Sequence, residues 1–310
     1  MEENQISLTA IMSAYIRAFH AMYDTPKIFD DFLAYSFIPQ ERRTIIEQAL
    51  VKSLQLKDPE RAALCPDQAT ALAWAIRTMT GPATTLSRSR YTEDNLKKAI
   101  SKGIRQYVIL GAGLDTFTFR YPTLTEQLQV FEVDHPATQT FKRSRLAELG
   151  WELPAQLHFV PFDFRKDNLT TALTASGYDP QVKSFFSWLG VTMYLTRAEI
   201  FATLRSIASI APAGSMVILD YLNIEAFIPE KLTPRGREML LLSQQAGEQM
   251  KTGFDPVTLA ADLKSLGFHL HENLSPADIQ ELYFQGRTDG YYASEHLHFA
   301  WAVVEAPPRF

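Results

Sequence analysis

The spacing of apolar and polar positions divides the chain into two parts with different periods. Over residues 8–23, Leu8, Ile11, Met12, Tyr15, Phe19 and Met22 recur at intervals of three and four, which predicts a helix with one apolar stripe. Further helical segments are expected near 28–36, 41–54, 67–79 and 92–102, with Gly103 placed to end the last. From Ile104 the period changes. Short apolar runs begin near 107, 129, 157, 184 and 215, with helical stretches between them. Starts separated by 22 to 31 residues leave room for a helical crossover each time, so these strands should form a parallel sheet. After the fourth strand, Thr196-Arg197-Ala198-Glu199 has the form of a capping box ahead of Ile200, Leu204 and Ile207.

Residues 223–253 contain no strand-like run and read as a helical insertion after strand five. Asp255-Pro256 opens a helix that Gly267 ends, leading into a sixth strand at Phe268–His271. Ser275-Pro276 opens one more helix, and His298–Val304 alternates as a last strand. The expected architecture is α/β, with a seven-stranded, mostly parallel sheet in which the short final connection makes one strand antiparallel. Residues 1–103 would form a helical cover or lid, and 104–310 the ligand-binding core.

Composition narrows the class. Of 310 residues, 46% are hydrophobic and 21% charged, as in a packed soluble protein. A net charge of −5 provides no general attraction to nucleic acid or to an anionic membrane. The single Cys65 excludes an intramolecular disulfide and a cysteine zinc cluster, and suits a reducing compartment. Arg17 and His20 interrupt the best apolar stretch of the N-terminus, unlike a signal peptide. No apolar run approaches the roughly 18–20 residues of a membrane span, so a cytoplasmic protein is the expectation. His296 and His298 share a strand face without a third ligand nearby, and no metal site is expected.

The chemistry concentrates at two strand ends. Tyr107-Val108-Ile109-Leu110 flows into Gly111-Ala112-Gly113, and Phe131-Glu132-Val133-Asp134 follows about twenty residues later. Glycine lets a backbone approach a ligand closely, and a carboxylate at the next strand end can take ribose hydroxyls. The bare Gly-x-Gly pair is also compatible with a ligand-free tight turn. Glu132 and Asp134 would share one strand face, where neither can be buried without a partner. Thr116 holds the position of the third glycine of a dinucleotide fingerprint, which disfavours a nicotinamide-dependent oxidoreductase. The absence of a Tyr-x-x-x-Lys pair after strand four points the same way.

The wording of these segments resembles the leucine carboxyl methyltransferase-like family, in particular its bacterial branch related to polyketide O-methyltransferases. The likeness lies in Gln106–Thr116 with Arg120, and in Phe131-Glu132-Val133-Asp134-His135-Pro136-Ala137-Thr138 with Lys142 and Arg145. Ala14–Ala18 with Asp30-Asp31, Arg88-Ser89-Arg90-Tyr91 and Tyr283–Gly290 extend it over most of the chain. The resemblance implies a class I methyltransferase fold and S-adenosylmethionine as cofactor. It implies that Gly111 and Gly113 pass under the methionine part, that Asp134 takes the ribose hydroxyls, and that Asp163 meets the adenine amino group with Phe164 beside the ring. Arg90 would pair with the cofactor carboxylate, ahead of Arg88.

One departure stands out: Leu189 occupies the place where the family usually shows an acid before Met193-Tyr194-Leu195. A protein that binds the cofactor without turnover is therefore a competing reading. The acceptor implied is a carboxylate, on a small molecule or a peptide, or else a hydroxyl. A carboxylate needs an anchor and no base, and Arg17, Tyr194 and Arg287 are the candidate anchors. A phenol or alcohol would need a base such as His135 or His20. The N-terminal helices and the 223–253 insertion are candidate lids.

Overall fold

The computed structural model describes residues 7–306. Its strands are β1 (Gln106–Leu110), β2 (Gln129–Asp134), β3 (Leu157–Pro161), β4 (Ser184–Trp188), β5 (Met216–Leu222), β6 (Phe268–Leu274) and β7 (Leu297–Val304). They form one sheet in the order β3-β2-β1-β4-β5-β7-β6. β1 to β5 run parallel, and β7 inserts antiparallel between β5 and β6. This is the expected topology. β1 and β4 are buried at every position, so their largely apolar runs belong to strands covered on both faces. The chain winds outward from β1 to β3 and then returns to lay β4 on the other side of β1. A crevice opens where that winding reverses, at the C-terminal ends of β1 and β4, which is where open α/β sheets bind ligands.

One hydrophobic cluster lies on each face of the sheet, and a third holds the N-terminal helices together. Helix Leu8–Tyr23 starts where Ser7 Oγ accepts from Ala10 N at 3.1 Å. It buries Tyr15 and Phe19 and leaves Tyr23 exposed. Helices Gln40–Lys57 and Gln68–Thr78 match expectation, and a short helix Pro59–Ala63 that the spacing did not predict lies between them.

Two expectations are corrected. Only Ala34–Phe37 of the 28–36 segment is helical, because Asp31 turns inward to bind side chains instead of continuing a helix. The helix expected from 92 begins at Thr80. Gly81 and Pro82 look like a break in the sequence, but both fall in the first turn, where a proline's missing N–H costs no intrahelical bond.

The insertion after β5 contains a 3-10 turn, Ile224–Phe227, and helix Pro234–Gln245. Asn223 and Phe254 form a parallel bridge at its two ends, so the segment leaves the sheet and returns to the same point. Among the described residues, no helix is long and apolar enough to cross a membrane, and no group of three or more His, Cys, Asp or Glu is placed to hold a metal ion.

The two acids of β2 have separate fates. Glu132 is buried and paired with Lys142 at 2.6 Å, and the same ammonium donates to Asp115 O at 2.6 Å. Asp134, two residues on, is left at the strand end facing the crevice.

Candidate active site

Beyond β1 the backbone turns through Gly111 (φ +73°) and Gly113 (φ +52°), a left-handed conformation that glycine adopts without penalty. Gly111 N and Ala112 N donate to Val133 O at 2.8 and 3.2 Å, pinning the turn to the end of β2. A Cβ on Gly111 would overlap Val191 Cγ2, and one on Gly113 would lie 3.3 Å from Ala10 Cβ. The turn is thus held between the loop after β4 and helix Leu8–Tyr23. Thr116 is fully buried: its hydroxyl donates to Asp31 at 2.6 Å and accepts from Arg120 Nε at 2.7 Å. Asp31 also pairs with Arg17 Nε at 2.8 Å, while Arg17 Nη2 donates to Leu114 O at 2.7 Å. A buried ion network therefore binds the first helix to the glycine turn. Here Thr116 is a structural requirement of this chain rather than a damaged glycine motif.

A cavity of about 480 Å³ lies above the turn, within the roughly 300–1,000 Å³ of small-molecule sites. Gly111, Gly113, Asp134, Asp163 and Phe164 all line it, so the structure gathers the residues from three separate strand ends. The two Asp134 oxygens accept from Gly113 N and, at 2.6 Å, from His135 N. Burial pushes this carboxyl up to about 6, against the pull of those two N–H donors. Asp163 behaves oppositely: the Arg165 guanidinium, bidentate at 2.9 and 2.8 Å, holds its carboxyl down to about 2. The Phe164 ring stacks on buried Trp188 with centroids 5.6 Å apart and meets Phe162 edge-on, giving the cavity one apolar wall.

The arginines are distributed differently from the expectation. Arg90 lies outside the cavity, half exposed and paired at 2.6 Å with Asp94, one helical turn on. Arg88, two residues earlier, lies on a different side of the helix Thr80–Ser101 and lines the cavity. Its Nη1 pairs at 2.7 Å with Asp220, a fully buried acid in β5 that also accepts from Gly190 N at 2.6 Å. A Cβ on Gly190 (φ +69°) would lie 2.5 Å from Arg88 Nη2, so this glycine makes room for the guanidinium. The i, i+4 spacing of Arg90 and Asp94 is the signal in the sequence that could have told the two arginines apart.

Arg287 is also outside the cavity. It pairs with Asp289 and donates to Pro26 O at 2.8 Å, tying the segment after the last helix to the N-terminal region. Arg17 and Tyr194 do line the cavity. Burial pushes the Tyr194 hydroxyl up to about 12, so it stays protonated. His20 is sealed in the core between Asp24 at 2.6 Å and Ile28 N at 2.7 Å, and no acceptor can reach it. His135 reaches the cavity beside Asp134 and Asp163, where burial lowers its pKa. Leu189 lines the cavity without any polar contact from its side chain. His296 accepts from Thr233 N, and His298 stacks on Tyr221.

Sequence reasoning missed Thr9, Glu248 and Lys251. They enter from the first helix and the insertion, and their place over the cavity follows only from tertiary packing.

The family model for leucine carboxyl methyltransferases matches residues 10–208. A Bacillus subtilis (strain 168) protein, YktD, named for an S-adenosyl-L-methionine-dependent methyltransferase, is 40% identical over 304 residues, covering 98% of this chain and 99% of that protein. The similarly named Mb3432 of Mycobacterium bovis is 29% identical over 287 residues, 92% of this chain and 71% of its own. Among solved structures, a DUF574 family protein from Streptomyces avermitilis superposes with a TM-score of 0.54 at 13% identity, covering 95% of this chain and 97% of that one. A protein from Thermobifida fusca described as a methyltransferase superposes with 0.52 at 14% identity, covering 98% and 97%. At these identities the two structures bear on the fold alone.

Proposed function

From the premise that the chain belongs to the leucine carboxyl methyltransferase family, and is an S-adenosylmethionine-dependent methyltransferase, we propose that it esterifies a carboxylate oxygen of a small acid or of a peptide terminus. The cavity suits the cofactor in three respects. The glycine turn brings bare backbone to the cavity wall, Asp134 offers a recessed carboxylate, and Phe164 offers an apolar face. In this reading Gly111 and Gly113 pass beneath the methionine part, Asp134 takes the ribose hydroxyls, and Asp163 meets the adenine amino group with Phe164 beside the ring. Arg88, rather than Arg90, pairs with the cofactor carboxylate, since a guanidinium has donors left after binding Asp220. When bound, the cofactor supplies an already electrophilic methyl group. The protein's own contribution is alignment and the exclusion of water.

The observation that favours a carboxylate is the distribution of acids and bases around the opening. Lys251 is exposed at the cavity, Tyr194 keeps its proton as a hydrogen-bond donor, and Arg17 stands nearby. Arg17 is already matched by Asp31, so the unmatched Lys251 ammonium and the Tyr194 hydroxyl are the groups that can anchor one carboxylate. Of the histidines offered as bases, His20 is locked in the core, and His135 lines the cavity among the acids at the ends of β2 and β3. An acceptor that arrives ionised needs no base. The test is transfer of labelled methyl from S-adenosylmethionine to a panel of carboxylic acids and phenols. Ester products, which release label in mild alkali, are expected, and stable aryl ethers as the main products would overturn the assignment.

Two further outcomes follow. Tyr194→Phe should lower kcat/KM about tenfold, the worth of one hydrogen bond to a charged group, while leaving the affinity for S-adenosylhomocysteine unchanged. Unchanged kcat/KM would remove Tyr194 from the acceptor site. The second outcome concerns pH. Asp134 is best able to accept from the ribose hydroxyls when ionised, and burial has raised its carboxyl to about 6. S-adenosylhomocysteine affinity should therefore hold above pH 6 and weaken as the pH falls below it. Calorimetric titration across that range reads this directly, and a flat profile down to pH 5 contradicts the ribose role.

A further inference from the structure

We infer that Glu248 is a further cofactor-positioning residue, carried over the cavity by the insertion after β5, whose carboxylate makes the site prefer the cationic methyl donor to its neutral thioether product. The inference rests on the reading of the cavity as the S-adenosylmethionine site.

The placement of Glu248 is built rather than incidental. Lys251 N donates to Met193 O at 2.7 Å and Thr252 Oγ1 to Leu195 O at 2.6 Å, which fixes the end of the insertion to the turn after β4. From that anchor the chain runs back across the cavity. Gly247 turns it (φ +76°), and Ser243 Oγ caps the turn by donating to Glu248 O. The Glu248 carboxylate then accepts from Thr9 Oγ1 on helix Leu8–Tyr23. The next residue of that helix, Ala10, lies against Gly113. Glu248 therefore joins the insertion and the first helix directly above the glycine turn. Its charge acts on both Asp134 and Tyr194, so it lies near each of them.

The charges that face this space are unbalanced. Among the described lining residues, three arginines are already matched: Arg17 by Asp31, Arg88 by Asp220 and Arg165 by Asp163. What remains is Asp115, Asp134 and Glu248 against Lys251 alone. Asp134 and Glu248 repel one another across this partly enclosed space, and burial disfavours ionisation of Glu248. A cation bound among them relieves that repulsion, and a neutral ligand of the same shape does not. S-adenosylmethionine and S-adenosylhomocysteine differ by one methyl group and one positive charge on sulfur. Backbone donors hold Asp134 and Asp115 in place beside the turn, which leaves Asp134 lone pairs for the ribose hydroxyls. Glu248 is the one of the three held on a covering segment, where it can favour loading of the donor and departure of the product.

Calorimetric titration of the full-length protein with each of the two compounds tests this. Glu248→Gln keeps the shape and an acceptor for Thr9 while deleting the charge. It should weaken S-adenosylmethionine about tenfold and S-adenosylhomocysteine less than twofold. Thr9→Val, which removes the latch and keeps the charge, should weaken both by the same factor. In the unaltered protein the preference for the cationic ligand should shrink as ionic strength rises. Equal changes for both ligands in Glu248→Gln, or no change for either, would overturn the inference. Failure of the unaltered protein to bind either compound would instead refute the cofactor site on which it rests.

Discussion

Gly111→Ala is expected to weaken S-adenosylhomocysteine binding about 30- to 100-fold, a loss of roughly 2–3 kcal/mol. Two effects combine at this position. The backbone adopts φ +73°, where an L side chain is strained, and the new methyl would overlap Val191 Cγ2. Valine is β-branched and stiff at χ1, so it cannot swing aside cheaply. The turn must then shift away from Val191 and Val133 O, carrying with it the Gly113 N–H that orients Asp134. Gly150→Ala is the matched control. Its φ of +66° is similar, but a Cβ there meets nothing within 4 Å, so it should lower stability by about 1–2 kcal/mol and leave affinity intact. If the two variants bind alike, the placement of the Gly111 turn does not govern cofactor binding.

The largest effect on folding should come from Lys142→Met. It leaves Glu132 buried between β1 and β3 without a counter-charge, a change that costs about 3–5 kcal/mol in comparable sites. One Glu132 oxygen is bound by Lys142 and the other has no partner among the described residues, so nothing nearby compensates. The pH dependence has a definite sign. Burial pushes the Glu132 carboxyl up to about 7 even with the lysine present. A carboxyl raised on folding costs stability as the pH climbs from its unfolded value through its folded one, and the cost is full above the latter. Without Lys142 the carboxyl rises further, so the deficit should be greatest near pH 8 and smaller near pH 5, where the group is protonated. Denaturant unfolding at the two pH values measures this. Adding Glu132→Gln to Lys142→Met should recover part of the loss. A loss below about 1 kcal/mol at pH 8, or one independent of pH, would mean that the pair is not the buried clamp described here. The Lys142 ammonium also holds Asp115 O, so weaker cofactor binding should accompany the variant.

These variants separate what was legible in the chain from what was not. The strands begin at 106, 129, 157, 184 and 216, within one residue of where the apolar runs predict them. A strand covered on both faces is largely apolar along its length, and that condition is local. The capping box at Thr196 forms as read, and the helix expected from Ser275-Pro276 opens with another, because the partners of each lie three residues apart. Helix 28–36 failed for the opposite reason. Asp31 forgoes a helical role to bind Arg17, Arg120 and Thr116, which lie far away in the chain.

The sequence by itself determined where the strands lie along the chain, the glycine turn after β1 and the carboxylates at the ends of β2 and β3. Each depends on residues adjacent in the chain and on a period of two or 3.6. The tertiary structure alone decided the remaining allocation of charge: Asp220 as the partner of Arg88, Glu132 bound to Lys142 while Asp134 stays available, and Glu248 brought over the site from an insertion more than a hundred residues beyond the glycine turn. A charge can be buried only beside its counter-charge. The counter-charge comes from whichever element packs alongside, and local patterning does not encode which element that is.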